Sequence, residues 1–248
     1  MDAYERMVIR ELSVWERKMK KRRPTPGERL SKGVQRRVNK LIPQKFHEII
    51  GAAVMNMVKA VLNGSEYLSL LEVDPEKSLQ QRDQLVKDRL VFYKSASAAS
   101  GAGTGGGGIF LGLVDFPILL SLKMKFMFDA AYLYGFDVKK LEERLFILYL
   151  FQLAFSGRHK RPDIFEKVSD WESFSFTLPA KIEDFDWLTF QQEYRDYMDL
   201  AKFFQIIPGI GMVVGAVANY KLLDHLGETV INGYRMRILG RDSRKKIE

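Results

Sequence analysis

Few residues in this chain have the type and spacing to do chemistry. Gly101, Gly103 and Gly106 satisfy the spacing G-x-G-x-x-G. In dinucleotide-binding proteins that loop follows a strand, and an acid about 20 residues further on holds a ribose hydroxyl. Here the preceding stretch, "SLQQRDQLVKDRLVFYKSA", reads as a charged helix, and the next acids, Asp115 and Asp129, miss the spacing. A Walker A phosphate loop is excluded, because no Lys-Ser/Thr follows the glycines. Ser100 and Thr104 place hydroxyls in the same run without an identifiable base.

Asp115 has the strongest claim of any acid to a functional role. It lies in the apolar run 109–122, and a carboxylate buried there must be paired or hydrogen-bonded. It reads first as a structural ion pair or as a cap ahead of Pro117, and second as a catalytic or ion-binding acid. His225 and Glu228, with Asp224 beside them, have the i, i+3 spacing of a metal-binding helix. No second such pair and no H-E-x-x-H accompanies them, so they read as ordinary helix residues. His47-Glu48 and His159 stand alone, and Asp186, Glu193, Asp196 and Asp199 read as the solvated side of a helix. The sequence therefore assigns no catalytic residue, no metal ligands and no cofactor. Cysteine is absent, which removes thiol chemistry and disulfides and fits a reducing compartment.

The elements around these residues read as helices throughout. Tyr4, Val8, Leu12, Trp15 and Met19 recur at steps of four and three, one face of an amphipathic helix that "KMKKRRPTP" brings to an end. A second, basic helix is expected around Leu30 to Leu41. Pro43 opens a third, with Phe46, Ile49, Ile50, Ala53, Val54, Met57 and Val61 apolar and Asn63-Gly64 as its stop. Asp74-Pro75 reads as the start of the next. "VKKLEERLFILYLFQLAF" is apolar on most sides and expected at the centre. Residues 156–187 read as a short helix plus loop, "TFQQEYRDYMDLAKFF" as a helix, and the remainder as one or two helices. With no alternating strand run, the fold class is all-α: a single helical bundle over 27–248, with a basic amphipathic arm over 1–26.

The small-residue tract 95–108 then has a structural explanation. Gly101 and Gly105, Gly103 and Gly107, and Gly108 and Gly112 are small pairs at i, i+4, and Gly211 and Gly215 repeat the device. Such pairs let helix backbones approach closely. Gly108, Gly112, Gly211 and Gly215 are expected to pack the two segments together, with the first glycines forming a turn. Neither segment reads as a bilayer span. Residues 109–122 are too few and contain Asp115 and Pro117, with Lys123 and Lys125 closing the run. Residues 203–223 contain Gln205, Pro208, Asn219 and Lys221.

Charge is unevenly placed. Residues 1–40 hold thirteen Lys/Arg and five Asp/Glu, an excess of eight, equal to the formal net charge of +8 for the whole chain. A basic end on a neutral body points to an acidic partner surface. Val8, Leu12 and Trp15 beside Lys18, Lys20, Lys21, Arg22 and Arg23 fit a helix lying in an anionic lipid interface. The competing reading is a helix docked on the domain. Nucleic acid ranks behind both, because no reader motif accompanies the charge.

The segments "LIPQKFHEII", "GAGTGGGGIFLGLVDFPILLSLKMKFMFDAAYLYGFDV", "RLFILYLFQLAFS" and "FDWLTFQQEYRDYMDLAKFFQIIPGIGMVVGAVANYKLLDHLGETVINGYRMR" together resemble the EcsC family of bacteria, over about residues 4–239. The glycines of 101–112, Asp115 to Pro117, and Tyr134-Gly135 carry the family's motifs. The family takes its name from a gene beside an ABC transporter, whose ATPase and membrane subunits are separate chains. The resemblance implies a bacterial protein linked to the cell envelope or to transport, with transporter subunits as partners. It transfers no catalytic residue. The expected function is a non-enzymatic accessory protein, cytoplasmic and peripheral on the inner face of the membrane. The alternative is a hydrolase or ion-dependent enzyme centred on Asp115.

Overall fold

The structure, a computed structural model, describes residues 1–21, 44–64, 74–104, 116–157, 159–179, 184 and 212–245. Among them are eight helices and no strand: α1 (Ala3–Lys20), α2 (Gln44–Asn63), α3 (Leu79–Thr104), α4 (Phe116–Leu133), α5 (Leu141–Phe155), α6 (Arg161–Ser169), α7 (Trp171–Ser175) and α8 (Met212–Lys245). The all-α class expected from the periodicity is the class observed. The expected basic helix near 30–41, the helix near 189–204, Asp115, Gly108, Gly112 and Gly211 lie outside the described residues. Gly215 lies in α8.

Helix α1 begins with a capping box. The Asp2 carboxylate accepts from Glu5 N at 2.7 Å, and the Glu5 carboxylate accepts from Asp2 N at 2.9 Å, satisfying donors that the first turn leaves open. Arg17, Lys18 and Lys20 complement the dipole at its other end. Its apolar stripe of Val8, Leu12, Trp15 and Met19 is at most 5% exposed. The Trp15 ring meets Phe165 of α6 edge-on at 5.5 Å. The sequence suggested an arm, but this helix is a packed wall of the bundle.

Helix α3 starts later than Asp74-Pro75 suggested. Asp74 instead closes a turn, accepting from Glu76 N and Lys77 Nζ. Ser78 and Gln81 supply the true N-terminus: Ser78 N donates to Gln81 Oε1 at 2.9 Å, and Gln81 N to Ser78 Oγ at 3.3 Å. The helix then continues through Gly101 and Gly103 to Thr104, so these glycines are helical and do not form a turn.

Helix α8 is the axis of the bundle. It runs antiparallel to α3, since Asp83 meets Arg235 near one end and Lys94 meets Asp224 further along. Gly227 and Gly233 allow two close approaches. A Cβ on Gly227 would overlap the Leu90 side chain of α3, and one on Gly233 would overlap Leu150 of α5. Close packing through glycine is thus present in this chain, at positions the small-pair spacing did not single out. Helix α4 runs antiparallel to α3, with Tyr93 donating to Asp129 and Tyr134 to Asp83. Gly135 follows α4 at φ +86°, which lets Phe136 N return to Ala131 O at 3.0 Å. Helix α5 is apolar all round and buried from Leu145 to Phe155, the central position its composition predicts.

Candidate functional site

The described interior contains charges, and their partners decide what they can do. Asp83 of α3 is fully buried. Its Oδ2 accepts from Tyr4 Oη at 2.6 Å and from Arg235 Nε at 2.9 Å, and its Oδ1 accepts from Tyr134 Oη at 2.5 Å. Arg235 reaches on to Glu11 with Nη1 at 2.8 Å. One carboxylate therefore joins α1, α3, α8 and the turn after α4. Burial, and then the Asp83 carboxylate, push the Tyr4 hydroxyl up to about 12 and Tyr134 far above its ordinary range. Burial opposes the Arg235 charge, but Asp83 outweighs it and holds the guanidinium protonated.

A second centre lies along α8. Arg237 donates to both Glu143 oxygens, at 2.6 and 2.9 Å, and to Glu172 at 3.3 Å. Its guanidinium lies 4.2 Å from the Phe136 ring centroid and 4.4 Å from that of Phe146. A bidentate pair stacked on aromatic rings offsets the charge of an arginine that cannot deprotonate, although its Nε is buried without a partner among the described residues. In both centres every carboxylate faces a cation or a hydroxyl donor, an arrangement that locks helices together.

Lys123 is different. It lies 1% exposed within α4, and among the described residues its Nζ reaches only the Leu119 carbonyl of its own helix, at 3.4 Å. Burial alone pulls its pKa down to about 8. The sequence presented Lys123 as the close of an apolar run; the helix instead continues for ten residues beyond it and carries it inside.

The remaining candidates are dispersed. His225 Nε2 lies 2.9 Å from the Ala154 carbonyl, Asp224 pairs with Lys94 at 2.6 Å, and Glu228 pairs with Lys18 at 2.8 Å. His225, and then Lys18, hold the Glu228 carboxyl down at about 2. His225 Nδ1 also lies 3.7 Å from Glu228, while Asp224 turns away to Lys94, so only two of the three side chains meet, and no cluster of three or more metal-ligating side chains occurs among the described residues. His159 is exposed.

Val8, Leu12 and Trp15, expected to enter lipid, are buried against the bundle. Insertion through that face would require α1 to leave the core. Lys18, Lys20 and Lys21 are exposed, with Lys18 held by Glu228 and Lys20 at 3.9 Å from Glu16, while Arg22 and Arg23 lie outside the described residues. Between α1, α3 and α8 is an open groove of about 470 Å³, lined by Val14, Trp15, Lys18, Lys87, Glu228 and Ile231 among others. No described helix is long and apolar enough to cross a membrane.

Asp83 and Glu143 escaped the sequence reading because each sits among other charges, in "QQRDQLVKDR" and "KKLEERL". A signal did exist. Asp83 is in register with Val86, Leu90 and Tyr93, and Arg235 with Ile231, Leu239 and the buried side of α8. A charge on an apolar stripe marks a buried pair.

The EcsC protein family matches residues 6–239. The chain belongs to the EcsC family. Protein EcsC of Bacillus subtilis (strain 168) is 45% identical over 218 residues, covering 88% of this chain and 89% of that protein. The uncharacterized protein YdbA of the same organism is 27% identical over 248 residues, covering 92% and 90%. No solved structure matches the chain. The match spans α1 through most of α8, so the terminal helix and the axis it packs on both belong to the EcsC-like region.

Proposed function

We propose that this EcsC family protein is a non-enzymatic accessory protein of the bacterial cell envelope, peripheral on the cytoplasmic face of the membrane and linked to an ABC transporter. One observation carries the membrane part of this reading. The net charge of +8 for the whole chain is equalled by the excess in residues 1–40; residues 1–21, which include α1, hold six Lys/Arg and four Asp/Glu, and the rest of the excess falls in 22–40, outside the described residues. A cationic segment on an otherwise neutral body is drawn to anionic lipid, and each basic side chain near the leaflet contributes about 1 kcal/mol. The transporter link rests on the family resemblance alone, the family taking its name from a gene beside an ABC transporter. The engagement of Asp83, Glu143 and Glu172 in arginine pairs supports a structural role for these acids.

Vesicle sedimentation tests the membrane part. The full chain should pellet with vesicles containing anionic lipid, less with neutral vesicles, and less again as salt shortens the Debye length. Indifference to anionic vesicles at low salt would remove this part of the proposal. Crosslinking in cells tests the transporter part, with recovery of transporter subunits expected; their absence from an otherwise productive crosslinking would count against it.

A further inference from the structure

We propose that the outward face of α1 is the surface that docks on an anionic bilayer, with the helix remaining packed on the bundle. The proposal rests on the membrane reading above and specifies its contact. The buried stripe of α1 is already occupied by the core, so it cannot serve while the protein is folded. The opposite face has its own regular pattern. Met7, Arg10, Val14 and Arg17 recur at steps of three and four, Lys21 follows at the C-cap, and all five are exposed. Met7 is 43% and Val14 60% exposed, large apolar side chains held in solvent between cations.

The charges on this face are available. Arg10 and Lys21 form no ion pair among the described residues, and Arg17 donates only to the Ser13 carbonyl, at 3.1 Å. Of the acids of α1, Glu5 is spent on the capping box and Glu16 lies toward Lys20, while Glu11, half-exposed and one turn from Met7 and Val14, borders the row but is paired with Arg235 at 2.8 Å. The row is therefore purely basic and apolar, and its partner must be acidic and able to take up isolated apolar side chains. An anionic lipid interface does both. A docked helix also loses no core contact on binding, whereas an inserting one would expose Val8, Leu12, Trp15 and Met19 counterparts in the bundle.

The test is sedimentation of the full chain with vesicles of phosphatidylglycerol and phosphatidylcholine, against the variant Arg10→Glu/Arg17→Glu. About fivefold in partitioning per cation predicts a loss of at least tenfold, with an unchanged denaturant midpoint. Arg10→Gln/Arg17→Gln should show a smaller loss and guards against misfolding caused by charge reversal. Met7→Ser/Val14→Ser should weaken binding that persists in high salt. If the full chain binds and both arginine variants bind equally well, this face is not the contact, although the membrane reading stands. If the full chain ignores the vesicles, both fall, and an acidic protein becomes the partner to seek.

Discussion

At the scale of single residues, the ionic groups of the interior fall into two kinds. Asp83–Arg235 and Glu143–Arg237 are satisfied pairs, and breaking one partner of such a pair typically costs about 3–5 kcal/mol. Lys123 has no carboxylate partner among the described residues and works against the fold. Its pKa falls from 10.5 to about 8 through burial, so between those values the unfolded chain binds more protons than the folded one. Stability from this group therefore rises with pH through that window, and below about 8 the penalty is present in full. At about 1.4 kcal/mol per unit, the penalty is on the order of 3 kcal/mol. Lys123→Met should accordingly raise the denaturant midpoint at pH 7, and its advantage over the parent should shrink as pH approaches 10. An equal advantage at both pH values would mean that the charge is not what the substitution removes.

At the scale of elements, glycine positions separate packing from propensity. Gly51 of α2 has open space where a Cβ would stand, whereas a Cβ on Gly233 would overlap Leu150, itself fully buried. Gly51→Ala should gain up to about 1 kcal/mol from helix propensity alone. Gly233→Leu should lose roughly 1–3 kcal/mol by overpacking. Chemical denaturation of both variants decides this; shifts of the same sign would end the argument for close approach at Gly233. The helices themselves were legible because periodicity reports burial directly. Val8 to Met19 showed α1, and the apolar run of 145–155, broken only by Gln152, showed α5 at the centre. Gly227 and Gly233 were not legible, because a lone glycine in a helix does not say which neighbour crosses there. The start of α3 was misplaced because Asp-Pro and Ser-x-x-Gln both signal a helix N-terminus, and the capping box at Ser78 prevailed.

At the scale of the whole molecule, the question is whether the N-terminal helix is an appendage or a part. Its basic composition suggests an appendage, and a protein with a detachable amphipathic arm would fold without it. The packing points the other way. Four side chains of α1 are buried in the common core, and Tyr4 and Glu11 complete the network around Asp83 and Arg235. Two adjacent residues give a direct comparison. Trp15 is 3% exposed and Val14 60%. Trp15→Ala should cost about 3–5 kcal/mol, the usual result of emptying a large core site, while Val14→Ala should stay within about 0.5 kcal/mol. Since domains are commonly stable by only about 5–15 kcal/mol, deleting residues 1–21 should lower the denaturant midpoint far more than either point change, or prevent cooperative folding. It would strip Tyr4 from Asp83, leave Arg235 without Glu11, and open the apolar wall that Trp15 covers against Phe165. Loss of vesicle binding by that truncated chain would therefore say nothing about the membrane contact, which is why the contact must be tested by surface substitutions. A truncated chain that unfolds cooperatively at the parental midpoint would show that α1 is an independent arm after all, free to leave the bundle and present its buried face to lipid.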